Sequence, residues 1–264
     1  MQRWSGWRAP VTARAVQRGT RARGLTASLR PSGAFRALLF AAAVAVDSPA
    51  LAQAGAAFSI FNDFRFRGFS LSDGRPVGVI DLSYDASDGL YGAVSGSLVA
   101  TRGDSVQPLG IELNAGYARR LRSGLTIDVG ATHSAYSEYS SRGSAYSYSE
   151  VYAGVAGKYL SGRLSVSPDY LHHSAWTLYG ELNGTVPVVS KLRFTGHVGL
   201  LVPLNYHSSE GNYRHEFDWR LGLEQDFGRL SVHADWAGAR PGDAHYPPAS
   251  HNRSGIVLGV TYAL

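Results

Sequence analysis

The stretch His215-Glu216-Phe217-Asp218-Trp219-Arg220-Leu221-Gly222-Leu223-Glu224-Gln225 alternates apolar and charged side chains. Successive side chains of a β-strand point to opposite faces, so one face of this strand is apolar and the other is charged. The last stretch, Ile256–Leu264, repeats the pattern with small residues on its second face. Both stretches are typical of β-strands that have one apolar and one polar face.

Runs with the same period, bounded by turn residues, predict about twelve strands of roughly ten residues, the length of a tilted membrane-spanning strand. Their connections alternate between short turns and longer loops, with a tight connection at His172–Ser174 as the exception. The predicted spans are 57–68, 75–85, 89–99, 109–119, 124–134, 146–159, 163–173, 175–185, 191–202, 214–226, 229–237 and 253–264.

A soluble β-sandwich or a lipocalin-like barrel would alternate in the same way. About twelve strands, however, exceed what a small filled barrel can pack. We therefore expect an all-β, antiparallel transmembrane β-barrel with short periplasmic turns and longer external loops, in the outer membrane of a Gram-negative bacterium. Aromatic residues near the strand ends are typical of interfacial girdles: Tyr84, Tyr117, Tyr159, Tyr170, Trp176 and Trp236.

Residues 1–54 predict a secretory signal peptide with an extended basic region, and residues 55–264 the barrel. Eight arginines and no acid lie in residues 1–46, and the apolar run 37–46 precedes small residues that favour cleavage after Ala52 or Ala54. The run is about half the length of a spanning helix. An organellar transit peptide is the alternative, because it is also arginine-rich and poor in acids.

Charge and cysteine content exclude several kinds of function. The whole chain carries a formal charge of +5, but residues 53–264 hold 17 bases and 19 acids, so no nucleic-acid partner is predicted. The chain has no cysteine, hence no disulfide and no thiolate metal site. No motif indicates a cofactor.

Several short segments resemble the TorF porin family, a proteobacterial family of outer-membrane barrels. The segments are Phe64–Ser70 (FRFRGFS), Ser72–Pro76 (SDGRP), Gly89–Ser97 (GLYGAVSGS), Ser149–Gly154 (SEVYAG), His197–Gly199 (HVG) and Asp218–Leu223 (DWRLGL). The resemblance implies a porin-like channel for passive diffusion or uptake of small solutes.

If the apolar faces meet lipid, the opposite residues line a lumen. The candidate lumen or constriction residues are Asp63, Arg65, Arg67, Asp81, Glu112, Glu150, Arg193, Glu216, Asp218 and Arg220. The same face holds Asp128, Arg163, Asp169, Glu181, His197, Glu224, His233 and Asp235. Eleven acids against five arginines predict a mild preference for cationic or neutral solutes.

The charges, and the tyrosines of a neighbouring stretch, each have two possible roles. Asp63, Arg65 and Arg67 on the first predicted strand form a constriction or binding cluster, or they form a ladder that stabilises strand pairing. The other charges bias the passing solutes, or they pair across strands and plug a narrow lumen. The tyrosines of Ala135–Tyr152 stack ring-shaped solutes, or they belong to the girdle and a solvated loop.

Hydrolysis at the external rim is the rival function, because histidines stand near hydroxyl or amide side chains in the predicted loops. They are His172, His173 and Ser174, His207 and Ser208, His245, and His251 with Asn252. No G-x-S-x-G or H-E-x-x-H motif occurs, so we predict no enzyme, no catalytic residue and no metal site. A plugged structural or adhesion barrel is a further alternative.

The expected partners are the lipid bilayer and lipopolysaccharide, small solutes and the barrel-assembly machinery.

Overall fold

The protein forms one closed barrel of twelve antiparallel strands, which confirms the predicted fold class. The computed structural model describes residues 52–101, 105–137, 146–172, 176–204, 215–240 and 254–264. Within these ranges, no helix has the length and hydropathy to cross a membrane. The strands are β1 (Ala52–Phe61), β2 (Arg65–Phe66), β3 (Phe69–Ser70), β4 (Val77–Ala86), β5 (Leu90–Ala100), β6 (Val106–Arg120), β7 (Thr126–Tyr136), β8 (Tyr146–Ala156), β9 (Leu160–Ser167), β10 (Thr177–Val189), β11 (Leu192–Pro203), β12 (Glu216–Phe227), β13 (Leu230–Arg240) and β14 (Ser254–Ala263).

Each barrel strand pairs with its neighbours in sequence, and β1 closes the ring against β14. At this seam the backbone partners include Ser59 and Thr261, whose hydroxyl oxygens lie 2.9 Å apart. The short strands β2 and β3 pair only with each other. Closure gives every barrel strand a hydrogen-bonded neighbour on both sides, which removes the open sheet edges that hydrocarbon does not tolerate.

The outer face of the barrel is apolar and the inner face is charged. Val151 and Leu82 are 62% and 50% exposed on the outside, whereas Glu150 and Asp235 are 7% and 3% exposed inside. A soluble barrel has the opposite arrangement, because water favours charged groups on the surface. This exterior therefore suits a hydrocarbon surrounding.

The connections alternate between two rims. Short turns join β4 to β5, β6 to β7, β8 to β9, β10 to β11 and β12 to β13 at one rim, which we call the short-turn rim. The opposite rim, the long-loop rim, holds the connections 62–76, 101–105, 137–145, 168–176, 204–215 and 241–253.

The predicted tight connection at His172–Ser174 is wrong, because β9 ends at Ser167 and β10 begins at Thr177. Pro168 follows β9 and has no amide hydrogen for a further ladder bond. A short 3-10 helix, Tyr170–His172, then turns Tyr170 into the interior, where it is fully buried. Tyr170 is therefore not a girdle residue. The other five predicted girdle residues are exposed: Tyr84, Tyr117, Tyr159, Trp176 and Trp236.

The first strand ends much earlier than the sequence predicts. β1 stops at Phe61, and the Asn62 side chain bonds the backbone of β14: its Nδ2 donates to the Ile256 carbonyl at 3.2 Å, and its Oδ1 accepts from the Leu258 amide at 2.7 Å. Residues 62–76, which we call the lumen hairpin, then fold into the barrel. Asp63, Arg65 and Arg67 continue the period-two pattern there, which is why the sequence predicts one longer strand.

β1 begins at Ala52, and its residues Ala52–Ala54 pair with the end of β4. Cleavage after Ala54 would remove this pairing, whereas cleavage after Ala52 would keep Gln53 and Ala54 in the strand. Residues 1–51 lie outside the described part of the chain, so the signal peptide stays a prediction.

Candidate functional site: the lumen and its hairpin

A single carboxylate organises the lumen hairpin. Asp63 is buried and accepts hydrogen bonds from Arg65 Nε at 2.8 Å, Ser72 Oγ at 3.0 Å and the Gly74 amide at 3.2 Å. A fourth bond comes from Ser70 Oγ at 2.5 Å. These donors are spread over ten residues of chain, so Asp63 holds both arms of the hairpin together.

The tip of the hairpin is a two-residue turn between Phe66 and Phe69. Arg67 and Gly68 both have positive φ, 45° and 78°, as a type I′ turn requires. Gly68 lies against β13 so closely that a Cβ atom would stand 2.2 Å from the Gly238 carbonyl oxygen. The tip therefore fits the wall only with glycine at this position.

Arg67 reaches the wall opposite β1. Its Nη2 donates to Glu150 Oε1 on β8 at 2.6 Å. Its guanidinium stands 3.8 Å from the ring centre of Tyr179 on β10 and 5.0 Å from that of Tyr170. Because β8 and β10 lie halfway around the barrel from β1, the hairpin spans the full width of the lumen.

Aromatic packing closes the β7–β8 side of the hairpin. The Phe66 ring lies 5.6 Å from that of Tyr136 and 6.2 Å from that of Tyr148, which in turn meets Tyr170 edge-on at 4.8 Å. Tyr136, Tyr148 and Tyr152 are all buried inside the barrel. Assigning them to an outer girdle is therefore wrong, and Tyr139 lies outside the described residues.

Further charges on the inner wall pair between strands. Arg163 contacts Asp128 at 3.3 Å and Glu181 at 4.0 Å. His197 Nε2 lies 2.7 Å from Asp218 Oδ1, and the other oxygen of Asp218 accepts from the Tyr179 hydroxyl at 3.0 Å. The walls from β7 to β12 are thus filled with mutually bonded side chains.

The opposite wall is less crowded, because β5 and β6 present small side chains to the interior. Ala93, Ser95 and Ser97 on β5 and Gly110 on β6 face the lumen hairpin across a cavity. The cavity is also lined by Arg65, Arg67, Glu112, Asn114, Tyr136, Tyr179, His197, Asp218 and Arg220. Open space in the lumen therefore lies between the hairpin and β5.

The structure places all ten candidate lumen residues inside the barrel, at different heights. Asp63, Arg65 and Arg67 belong to the hairpin instead of a barrel strand, and Asp63 bonds Arg65 and Ser70, which pair across β2 and β3. Arg193 lies on β11 near the short-turn rim, where it binds Asp226 at 2.6 Å. The hairpin begins at the opposite rim. The remaining six lie on inner faces of the wall: Asp81, Glu112, Glu150, Glu216, Asp218 and Arg220.

Three tyrosines bond the inner charges or each other, and of these only Tyr152 is a candidate from the sequence, as part of the stretch Ala135–Tyr152. Tyr179 stands two residues before Glu181 on one face of β10, and Tyr152 two residues after Glu150 on β8, so the alternation that found the acids also marks the tyrosines. Tyr91 on β5 belongs to the same set, since its hydroxyl donates to Asp128 at 2.6 Å and contacts the Tyr152 hydroxyl.

The rim histidines considered for hydrolysis fall almost entirely outside the described residues. His173, Ser174, His207, Ser208, His245, His251 and Asn252 lie there, and only the backbone of His172 is described, at the end of the 3-10 helix. In the described ranges, no group of three His, Cys, Asp or Glu is placed to hold a metal ion.

The sequence matches, over residues 45–256, a family described as bacterial proteins of unknown function, Gcw_chp. The chain belongs to the Gcw_chp family. A comparison with curated proteins found no match.

Solved structures similar to this Gcw_chp barrel include outer-membrane channels. The NanC porin matches with a TM-score of 0.52 and 12% identity over 81% of this chain and 100% of that one. The KdgM porin matches at 0.49 and 12% over 80% and 99%, and an outer-membrane channel from Pseudomonas putida F1 at 0.45 and 13% over 82% and 96%. At this identity, the likeness to the NanC porin shows the barrel fold that the two proteins share.

Proposed function

We propose that the protein is an outer-membrane, porin-like channel through which small solutes diffuse or are taken up passively, and not an enzyme. The observation that carries the proposal is the inverted barrel: its outside is apolar, its inside is charged, and a hairpin instead of an apolar core occupies the interior. A polar interior is typical of transmembrane β-barrels, among them the porins with water-filled channels.

Solutes pass, in this proposal, between the lumen hairpin and β5. Serine hydroxyls, an asparagine amide and charged groups line this space, so a hydrated solute exchanges water for polar side chains as it moves. Arg67 lines this space and extends across the lumen to Glu150, and the hairpin tip that carries it is the proposed constriction.

We propose that the channel mildly prefers cationic or neutral solutes. Carboxylates outnumber arginines on the inner wall, and most arginines are paired: Arg67 with Glu150, Arg163 with Asp128, and Arg193 with Asp226. An excess of carboxylates inside a low-dielectric wall raises the local concentration of cations. Reversal potentials in a salt gradient measure this preference, and a preference for anions would contradict it.

Single-channel conductance in a planar bilayer tests the channel. Arg67→Ala removes the side chain that crosses the lumen and is expected to raise the conductance of each step. Ala93→Trp fills the space beside the hairpin and is expected to lower it. Val94→Trp is the matched control, because Val94 faces outward on the same strand. A folded protein that gives no conductance steps, or steps of equal size for all three variants, would contradict the proposal.

A plugged structural or adhesion barrel is the second candidate. It is favoured by the pairing of charges across β7–β12 and by the aromatic packing of the hairpin, both of which fill the lumen. A barrel without conductance even after Arg67→Ala supports this candidate.

The barrel fold supports a setting in the outer membrane. The apolar outer face would contact lipid, lipopolysaccharide would cover the half of the barrel near the long loops, and the barrel-assembly machinery would insert the chain after a signal peptide has been removed. The resemblance to the TorF porin family supports the same setting.

A further inference from the structure

The short-turn rim carries a row of exposed cations. Three lie around the β6–β7 turn, and one lies in or beside each of the next three turns. Two of these cations are the only lysines of the whole chain. The six residues, which we call the basic rim, are Arg119, Arg120, Arg122, Lys158, Lys191 and Arg229.

The basic rim is continuous, because consecutive turns touch. A Cβ atom on Gly157 of the β8–β9 turn would lie 3.5 Å from Leu125 of the β6–β7 turn. Further along, the Thr185 amide donates to the Tyr159 carbonyl at 2.9 Å, and the Asp226 amide donates to the Lys191 carbonyl at 3.0 Å. The cations therefore follow one arc of the rim from β6 to β13.

Acidic side chains do not neutralise this arc. Within the described part of the chain, no carboxylate forms an ion pair with any residue of the basic rim. Asp226 is bound to Arg193 at 2.6 Å, and the exposed acids Asp85 and Asp88 lie at the β4–β5 turn, outside the arc. The positive charge of the short-turn rim is therefore confined to the arc from β6 to β13.

Exposed apolar groups stand directly beside these cations. Leu121 and Leu125 share the β6–β7 turn with Arg122, and Lys158 Nζ lies 4.7 Å from the ring centre of Tyr159. Long cationic side chains next to exposed leucines and aromatic rings are typical of a membrane interface, where the stem stays in the apolar layer and the charge reaches the headgroups. An acidic soluble partner would not require that apolar belt, so a lipid is favoured.

We infer that the basic rim binds the headgroups of anionic phospholipids in the leaflet that meets the short turns. The inference rests on the proposed function, since that places the barrel in a bilayer with its short turns at the periplasmic side. An exposed Lys or Arg near an anionic bilayer strengthens binding by roughly fivefold. Six neighbouring cations on one arc are expected to select such lipids from a mixture.

Native mass spectrometry of the folded protein in detergent tests this, with phosphatidylglycerol and phosphatidylcholine of identical acyl chains as the probes. We expect tighter binding of phosphatidylglycerol, and a preference that falls roughly 25-fold in Arg122→Gln/Lys158→Gln, which removes two cations, and also falls with added salt. Arg122→Gln and Arg240→Gln form a matched pair, because Arg240 is exposed at the long-loop rim. Only Arg122→Gln is expected to weaken binding.

Equal binding of the two lipids, or equal loss in Arg122→Gln and Arg240→Gln, would overturn the inference. So would a preference for peptidoglycan fragments over phosphatidylglycerol, which would make the rim a cell-wall contact. Conductance measured on the same samples separates the two proposals. A conducting barrel without lipid preference refutes the basic rim alone, and a silent barrel with that preference refutes the channel alone.

Discussion

Arg67 is held in the lumen by its surroundings, since its own backbone conformation is unfavourable. A non-glycine residue with φ of 45° costs of order 1 kcal/mol. The carboxylate of Glu150 and the ring of Tyr179 hold its guanidinium, and loss of Glu150 would cost about 3–5 kcal/mol, because Arg67 would then be a buried charge without its partner. The position of this one side chain thus depends on two strands of the opposite wall.

The small size of Gly199 leaves room for the Tyr179 side chain on the opposite wall. A Cβ atom there would lie 2.2 Å from the Tyr179 hydroxyl oxygen and 2.4 Å from Asp218 Oδ2. We expect Gly199→Val to displace Tyr179, which lies over the Arg67 guanidinium, and to cost about 1–3 kcal/mol of stability through overpacking. Urea titration of the folded barrel in vesicles measures the loss.

Gly96→Val is the control for Gly199→Val. A Cβ atom on Gly96 meets nothing within 4 Å, and this glycine faces outward on β5. Valine suits such a strand position, so no loss of stability is expected. Equal destabilisation by both substitutions would mean that Tyr179 does not depend on Gly199.

As an element, the lumen hairpin depends on the carboxylate of Asp63. Asp63→Ala removes the acceptor that Arg65 Nε, the two serines and the Gly74 amide share, so we expect the hairpin to leave the lumen part of the time. Trypsin cleavage after Arg67 in the folded barrel measures this, because that bond is buried in the wild type. We expect faster cleavage in Asp63→Ala and an intermediate rate in Asp63→Asn, which retains an acceptor oxygen.

Unchanged cleavage in Asp63→Ala would show that the contacts of Arg67 and Phe66 hold the hairpin alone. The matched substitution Asp88→Ala, in an exposed turn at the other rim, is expected to leave the cleavage rate as in the wild type.

The elements differ in how far the sequence predicts them. β12 and β14 are predicted from their alternation, because each has lipid on one side and the lumen on the other over its whole length. The lumen hairpin alternates as well, but its apolar residue Phe66 packs against Tyr136 and Tyr148 instead of lipid. Local periodicity does not distinguish these surroundings, so the end of β1 at Phe61 follows only from contacts across the barrel.

At the scale of the molecule, the inverted barrel makes a depth-dependent prediction. Val151 lies in the middle of β8 and faces outward, whereas Leu121 faces outward in a short turn. We expect Val151→Arg to cost about 2–4 kcal/mol in a bilayer and Leu121→Arg about 0–1 kcal/mol, because a charge is least stable at the bilayer midplane. Folding titrations in vesicles measure both, and equal costs would contradict a membrane-spanning β8.

The candidate site is only partly predictable at this scale. Inner-facing charges follow from the pattern of each strand, and nine of the eleven acids found in this way lie on barrel strands; Asp63 lies in the lumen hairpin and Asp169 in the connection after β9. The cavity beside β5 has small residues on one side and the lumen hairpin on the other. These two segments are far apart in sequence, so no local pattern predicts that a cavity lies between them. Ser95 and Ser97 carry no signal of their own, since small residues occur on the outer faces too.

The position of the lumen hairpin has a consequence for the order of events during biogenesis. The hairpin leaves the first strand, its tip lies against Gly238 of β13, and Arg65 lies beside Gly255 of β14, the strand that completes the ring. The earliest part of the barrel to emerge from synthesis must therefore wait for the latest part before it is enclosed. The contacts of the hairpin with Gly238 and Gly255 therefore form only when β13 and β14 are in place, so the interior is completed together with the ring.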